Sequence, residues 1–107
     1  MESILELTET DFDRNVLKST IPVLVDFWSP SCLPCRMLVP VLEELAKENA
    51  GEIRIAKVNM AEFPQIGAKY GVDMLPTLLF FNNGNVVERM VGSQSKNKLQ
   101  NALDEIE

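Results

Sequence analysis

A chain of 107 residues has room for one hydrophobic core, and 46% apolar residues are enough to fill it. With 16 Asp and Glu against 10 Lys and Arg the net charge is −6, the wrong sign for displacing counterions from nucleic acid. No apolar run approaches the ~20 residues a membrane-spanning helix needs, so neither nucleic acid nor membrane is expected as a partner.

The start, Met1-Glu2-Ser3-Ile4-Leu5-Glu6, lacks the basic flank and apolar block of a secretory signal, and a cytoplasmic location is expected. Ile4 to Leu7 reads as a short strand, and Thr10-Asp11-Phe12-Asp13 as a helix start with acids in its first turn, running to about Lys18. Pro22 to Trp28 is a buried central strand, with Pro22 at its first residue where no ladder bond is required. From Cys32 onward Leu38, Val41, Leu42 and Leu45 recur at three- and four-residue steps, the period of a helix, and Pro40 inside it should kink it. Ile53 to Asn59 is a second buried strand, and Pro64 to Tyr70 a short helix.

Thr77 to Asn82 and Val86 to Val91 are strands joined through Asn83-Gly84, a hairpin signal because both residues tolerate positive φ. Leu99, Ala102, Leu103 and Ile106 form one stripe of a closing helix that starts near Ser95. The order βαβαβαββα puts parallel crossovers first and an antiparallel hairpin last. It predicts a single α/β domain over residues 1–107, a mixed central sheet with helices on both faces.

Two cysteines and no histidine narrow the chemistry. Catalysis by a Cys–His or Ser–His pair is excluded, and a closed zinc site needs four Cys or His ligands. No metal site is expected. Ser31-Cys32-Leu33-Pro34-Cys35-Arg36 lies between a buried strand and an amphipathic helix. Residues three apart on a helix have Cβ atoms ~5–6 Å apart and a disulfide needs roughly 3.5–4.5 Å, so a small adjustment in the first turn suffices. Cys32 falls at the helix N-terminus, where unpaired N–H groups and the macrodipole favour a thiolate. Cys35 lies one turn deeper, shielded. Pro34 fits the first turn, where its missing N–H has no partner to lose. Arg36 adds positive charge. Cys32 is therefore read as the attacking thiolate and Cys35 as the resolving thiol. The plainer alternative is two buried cysteines serving as small hydrophobes.

Asp26 interrupts an apolar strand and shares a face with Leu24 and Trp28. If it is buried, lost hydration raises its pKa and makes it a proton acceptor for Cys35; the alternative is a solvated strand end. Lys57 interrupts the next strand with opposite sign. It either lies near Asp26 and limits that rise, or snorkels from a sheet edge. Trp28, just before the cysteine loop, packs with one edge near the sulfurs, and the methionines read as gap-filling core. Pro76 starts a strand, where a trans bond is the ordinary case.

Val25-Asp26-Phe27-Trp28, Cys32-Leu33-Pro34-Cys35-Arg36, Pro40, Lys57-Val58-Asn59, Lys69-Tyr70-Gly71-Val72, Leu75-Pro76-Thr77, Asn83-Gly84 and Val91-Gly92 together resemble the thioredoxin family over nearly the whole chain. The resemblance implies a thioredoxin fold, with Cys32 as nucleophile, Cys35 as resolving cysteine and Asp26 as buried acid–base group aided by Lys57. It implies a cis bond before Pro76, whose backbone pairs with an extended substrate segment flanked by Met74, Leu75 and Gly92. Trp28, Leu33 and Pro34 complete the substrate-binding set. A monomer is expected, with the Cys32–Cys35 disulfide as its redox group and no further cofactor. Its partners would be a thioredoxin reductase, commonly NADPH-dependent, and disulfide-containing client proteins.

The family's usual loop is Trp-Cys-Gly-Pro-Cys, and here Ser31 stands for the Trp and Leu33 for the Gly. The expected function is reduction of protein disulfides. The alternatives are a dithiol oxidant or isomerase, a non-catalytic binding module using the apolar rim around Leu33 and Met74, and a dimer-bridging metal or iron–sulfur site from two cysteine pairs.

Overall fold

A computed structural model of the protein describes residues 4–106, so the Met1–Ser3 part of the leader reading lies outside the described residues. Five strands, β1 (Leu5–Leu7), β2 (Val23–Trp28), β3 (Arg54–Asn59), β4 (Thr77–Asn82) and β5 (Asn85–Val91), form one sheet in the order β1-β3-β2-β4-β5. The helices are α1 (Leu33–Glu48), α2 (Pro64–Lys69) and α3 (Lys96–Asp104). β3 pairs in parallel with β1 and β2, whereas β4 runs antiparallel to β2 and β5. This is the expected mixed α/β sheet with helices on both faces.

Alternation along the central strands feeds two cores. Leu24, Ile55, Leu78 and Phe80 point to one face and are covered by Leu38, Leu42 and Leu45 of α1 and by Leu99 and Leu103 of α3. Val23, Val25, Phe27, Val58 and Leu79 point to the other, under Phe12, Val16 and Ile66. Because β2 is flanked on both edges and covered on both faces, all of Val23 to Phe27 is buried, Asp26 included.

The first helical segment departs from expectation. Residues Asp13–Leu17 form a π-helical turn, closed by the Lys18 N–H donating to the Asp13 carbonyl at 3.0 Å. Asp11 reaches back to accept from the Thr8 N–H at 2.7 Å, fixing the chain ahead of the turn. One or two turns carry too short a periodic signal to separate an i+4 closure from an i+5 one. α1 runs unbroken through Pro40.

The β4–β5 hairpin pairs Asn82 with Asn85 across a two-residue turn, with Asn83 at φ 53° and Gly84 at φ 81°. A Cβ on Gly84 would also stand 2.9 Å from the Leu17 carbonyl oxygen. Gly84→Ala should therefore destabilise the fold by ~1–2 kcal/mol or more, read as a lower urea midpoint at unchanged m. An unchanged midpoint would show that the turn rearranges freely. Further along, Phe81 pairs with Val86 but Phe80 with Glu88, which leaves Val87 as the extra residue of a β-bulge.

Candidate active site

The parallel strands β2 and β3 end where the antiparallel β4 begins, so Trp28, Asn59 and Pro76 come to one end of the sheet. The cysteine loop leaves β2 at this end. Cys32 caps α1 with extended backbone (φ −92°, ψ 106°), and its Sγ accepts from the Cys35 N–H at 3.2 Å. Its own N–H donates to the Ser29 carbonyl and its carbonyl accepts from the Arg36 N–H, both at 3.2 Å. The two cysteines are joined as a disulfide with Cα atoms 5.3 Å apart. Cys35 is only 1% exposed, while Cys32 is half-buried and borders solvent. A helix N-terminus supplies N–H donors and positive potential, so charge on sulfur is stabilised at Cys32.

Three segments are tied together around the pair. The Leu75–Pro76 bond is cis. The Pro76 carbonyl accepts from the Gly92 N–H at 2.8 Å, and Ser93 Oγ donates to the Pro34 carbonyl at 3.4 Å. Thr77 Oγ1 donates to the Met74 carbonyl at 2.5 Å, holding the turn before the strand. These bonds tie the Pro34 and Gly92 segments to the Met74–Pro76 turn, in which Met74 is exposed and Pro76 buried.

Asp26 sits on β2 between Lys57 of β3 and Leu78 of β4. It is 2% exposed, and its Oδ1 has no hydrogen-bond partner. Burial pushes its pKa from the ordinary 3.8 up to about 7, with the Lys57 charge opposing the rise. The carboxyl therefore exchanges a proton near neutrality. Lys57 is half-buried, and its Nζ lies 5.3 Å from the centre of the Trp28 ring. Trp28 is half-buried, with its Nε1 enclosed and without a hydrogen-bond partner.

The methionine reading needs correcting. Met60 and Met90 do pack against the two cores, but Met37 is 68% and Met74 62% exposed. Leu33, next to Cys32 in the chain, is likewise 61% exposed. Met37 follows Leu33 by one helical turn and stands outside the Leu38–Leu42–Leu45 stripe, so that offset was the signal for its exposure. Ser93 was also missed, since nothing local in the sequence ties it to Pro34. A groove of about 1020 Å³ between the start of β3 and the end of α1, lined by Ile4, Lys47, Gly51 and Arg54 among others, lies at the opposite end of the sheet.

A sulfur bordering solvent at a helix cap, disulfide-bonded to a buried one in the first turn, defines a thiol–disulfide oxidoreductase. The thioredoxin family profile matches residues 3–105. Thioredoxin 1 of Nostoc sp. is 42% identical over 97% of both chains, and the thioredoxin of Haemophilus influenzae 43% over 98% of both. Thioredoxin 1 of Synechococcus elongatus is 44% identical over 92% of both chains. The chain belongs to the thioredoxin family. Among the described residues, no helix is long and apolar enough to cross a membrane.

Proposed function

We propose that the chain is a cytoplasmic, monomeric reductant of client-protein disulfides, with Cys32 as nucleophile and Cys35 as resolving thiol. The observation that carries this is the asymmetry of the pair: Cys32 borders solvent at a helix cap, and Cys35 is 1% exposed one turn inside. In the dithiol form the Cys32 thiolate attacks one client sulfur, forming a mixed disulfide and releasing the other client sulfur as thiolate. Asp26, aided by Lys57, takes the proton from Cys35. The Cys35 thiolate then attacks Cys32 Sγ, closes the Cys32–Cys35 disulfide and releases the second client thiol. Two electrons pass to the client. Thioredoxin reductase returns them, and the disulfide itself is the only redox group.

Client backbone would pair beside Pro76, with Trp28, Leu33, Pro34, Met74, Leu75 and Gly92 around it. Equilibration with glutathione tests the direction of flow. The chain should remain mostly disulfide in a glutathione buffer that keeps ordinary protein thiols reduced; a chain that is mostly dithiol there is an oxidant instead.

Ser31 and Leu33 bear on the partner rather than on the chemistry. Neither supplies an acid, base or nucleophile that the dithiol exchange requires, and both are exposed beside Cys32. A Trp at position 31 would supply a large amphipathic anchor, and Gly at 33 would remove an apolar branch. The double variant Ser31→Trp/Leu33→Gly should raise turnover with a thioredoxin reductase by about tenfold, equivalent to ~1.4 kcal/mol. Its redox potential should move by less than roughly 30 mV. A large potential change with unchanged reductase kinetics would place the effect in the disulfide instead.

A further inference from the structure

Lys57 has two places on the sheet to put its charge. Asp26 is its register partner on β2, and Trp28 stands two residues further along the same face. Neighbouring strands lie ~4.7–4.9 Å apart, so across the parallel β2–β3 pair a lysine stem is long enough to bring its ammonium onto the carboxylate. It does not do so. No ion pair between Lys57 and Asp26 occurs among the described residues, and Asp26 Oδ1 accepts no hydrogen bond. The ammonium instead sits 5.3 Å from the Trp28 ring centre, inside the ~6 Å range of a cation–π contact.

The remaining neighbours supply little competing charge. β4 and β5 continue the row with Leu78 and Met90. α3 brings Leu99 and Leu103 to this face, and α1 brings leucines together with Cys35 in its first turn. On the far side of Lys57, β1 places the exposed Glu6 in register.

We infer that Trp28 is a positioning residue for the proton-transfer step: its ring face holds the Lys57 ammonium short of ion-pair contact with Asp26. The charge stays close enough to help the carboxylate form, yet does not lock it in the ionised state. A carboxyl so placed can take the Cys35 proton and release it again in the next cycle. This rests on the proposed role of Asp26, and it assigns Trp28 an electrostatic task in addition to packing.

A double-mutant cycle read on the Asp26 titration tests it, using carboxyl-labelled protein followed by NMR against pH. Trp28→Leu keeps apolar bulk but removes the π face, so Lys57 is free to pair with Asp26. The Asp26 midpoint should fall by about one pH unit with Lys57 present, and by less than about 0.3 in a Lys57→Met background. Extra hydration around the smaller side chain acts in both backgrounds and cancels. Trp28→Phe, which retains a weaker π face, should give an intermediate fall, and it carries the same cycle if Trp28→Leu does not fold. Equal falls in both backgrounds would mean that Trp28 acts only by covering Asp26, and no fall in either would mean that it does not act on Asp26. Both overturn the inference. The role of Asp26 itself fails separately, if Asp26→Asn releases client at the wild-type rate.

Discussion

Cys32→Ser should reduce disulfide exchange to the uncatalysed background, whereas Cys35→Ser should attack its client once and stop. The two outcomes follow from burial. With Cys32 replaced, the remaining sulfur is Cys35, 1% exposed within the first turn of α1, and no client disulfide can approach it in line. With Cys35 replaced, Cys32 still stands at the helix cap with the N–H groups that stabilise its thiolate. The mixed disulfide then forms, but nothing resolves it. Non-reducing mass spectrometry should show one client per chain for Cys35→Ser and free chain for Cys32→Ser. Normal turnover by Cys35→Ser, or client trapping by Cys32→Ser, would reverse the roles.

Asp26→Ala should be more stable than the wild type at pH 8 by several kcal/mol, and slower to release reduced client. Burial raises the folded-state pKa of Asp26 from 3.8 to about 7. Between those values the folded protein binds more protons at this site than the unfolded chain does. The stability associated with the protonated carboxyl is fully present below about pH 4, falls as pH rises, and is lost above about pH 7. Each pH unit of that interval is worth ~1.4 kcal/mol, so the whole interval is of order 4 kcal/mol. The alanine variant lacks this slope. Urea titrations at several pH values should show the two proteins converging in acid and separating towards pH 8. A variant destabilised at pH 8, with unchanged release kinetics, would remove Asp26 from the proton-transfer step.

Much of the architecture is legible because its signals are local. Alternation and apolar runs mark β2, β3 and β4 to within a residue or so, and Asn83-Gly84 marks its turn through positive φ. The cysteine pair is equally plain, since Pro34 and the leucine period after it place both sulfurs in the first helical turn. What the sequence leaves open depends on neighbours distant along the chain. Asp26 could have stood at a wet strand end; its burial follows only once β3 and β4 flank β2 and α1 covers it. The cis bond at Leu75–Pro76 came from the family resemblance alone, because proline at a strand start is compatible with both isomers. Nor does composition say which methionines face solvent or where a four-carbon lysine stem lays its charge.

The bulge at Val87 interrupts an open border of the sheet. β5 is an open edge of seven residues on which Val86, Val87 and Val91 are exposed, and a flat edge of that kind templates strand addition and aggregation. Val87 divides the edge into Asn85–Val86 and Glu88–Val91, twisting the ladder between them. A strand from a second molecule cannot stay in register across both halves, and it meets the charged Glu88 and Arg89 at the break. The opposite edge, β1, is only three residues long. Removing the bulge by deleting Val87 should therefore trade a minor irregularity for a continuous sticky border.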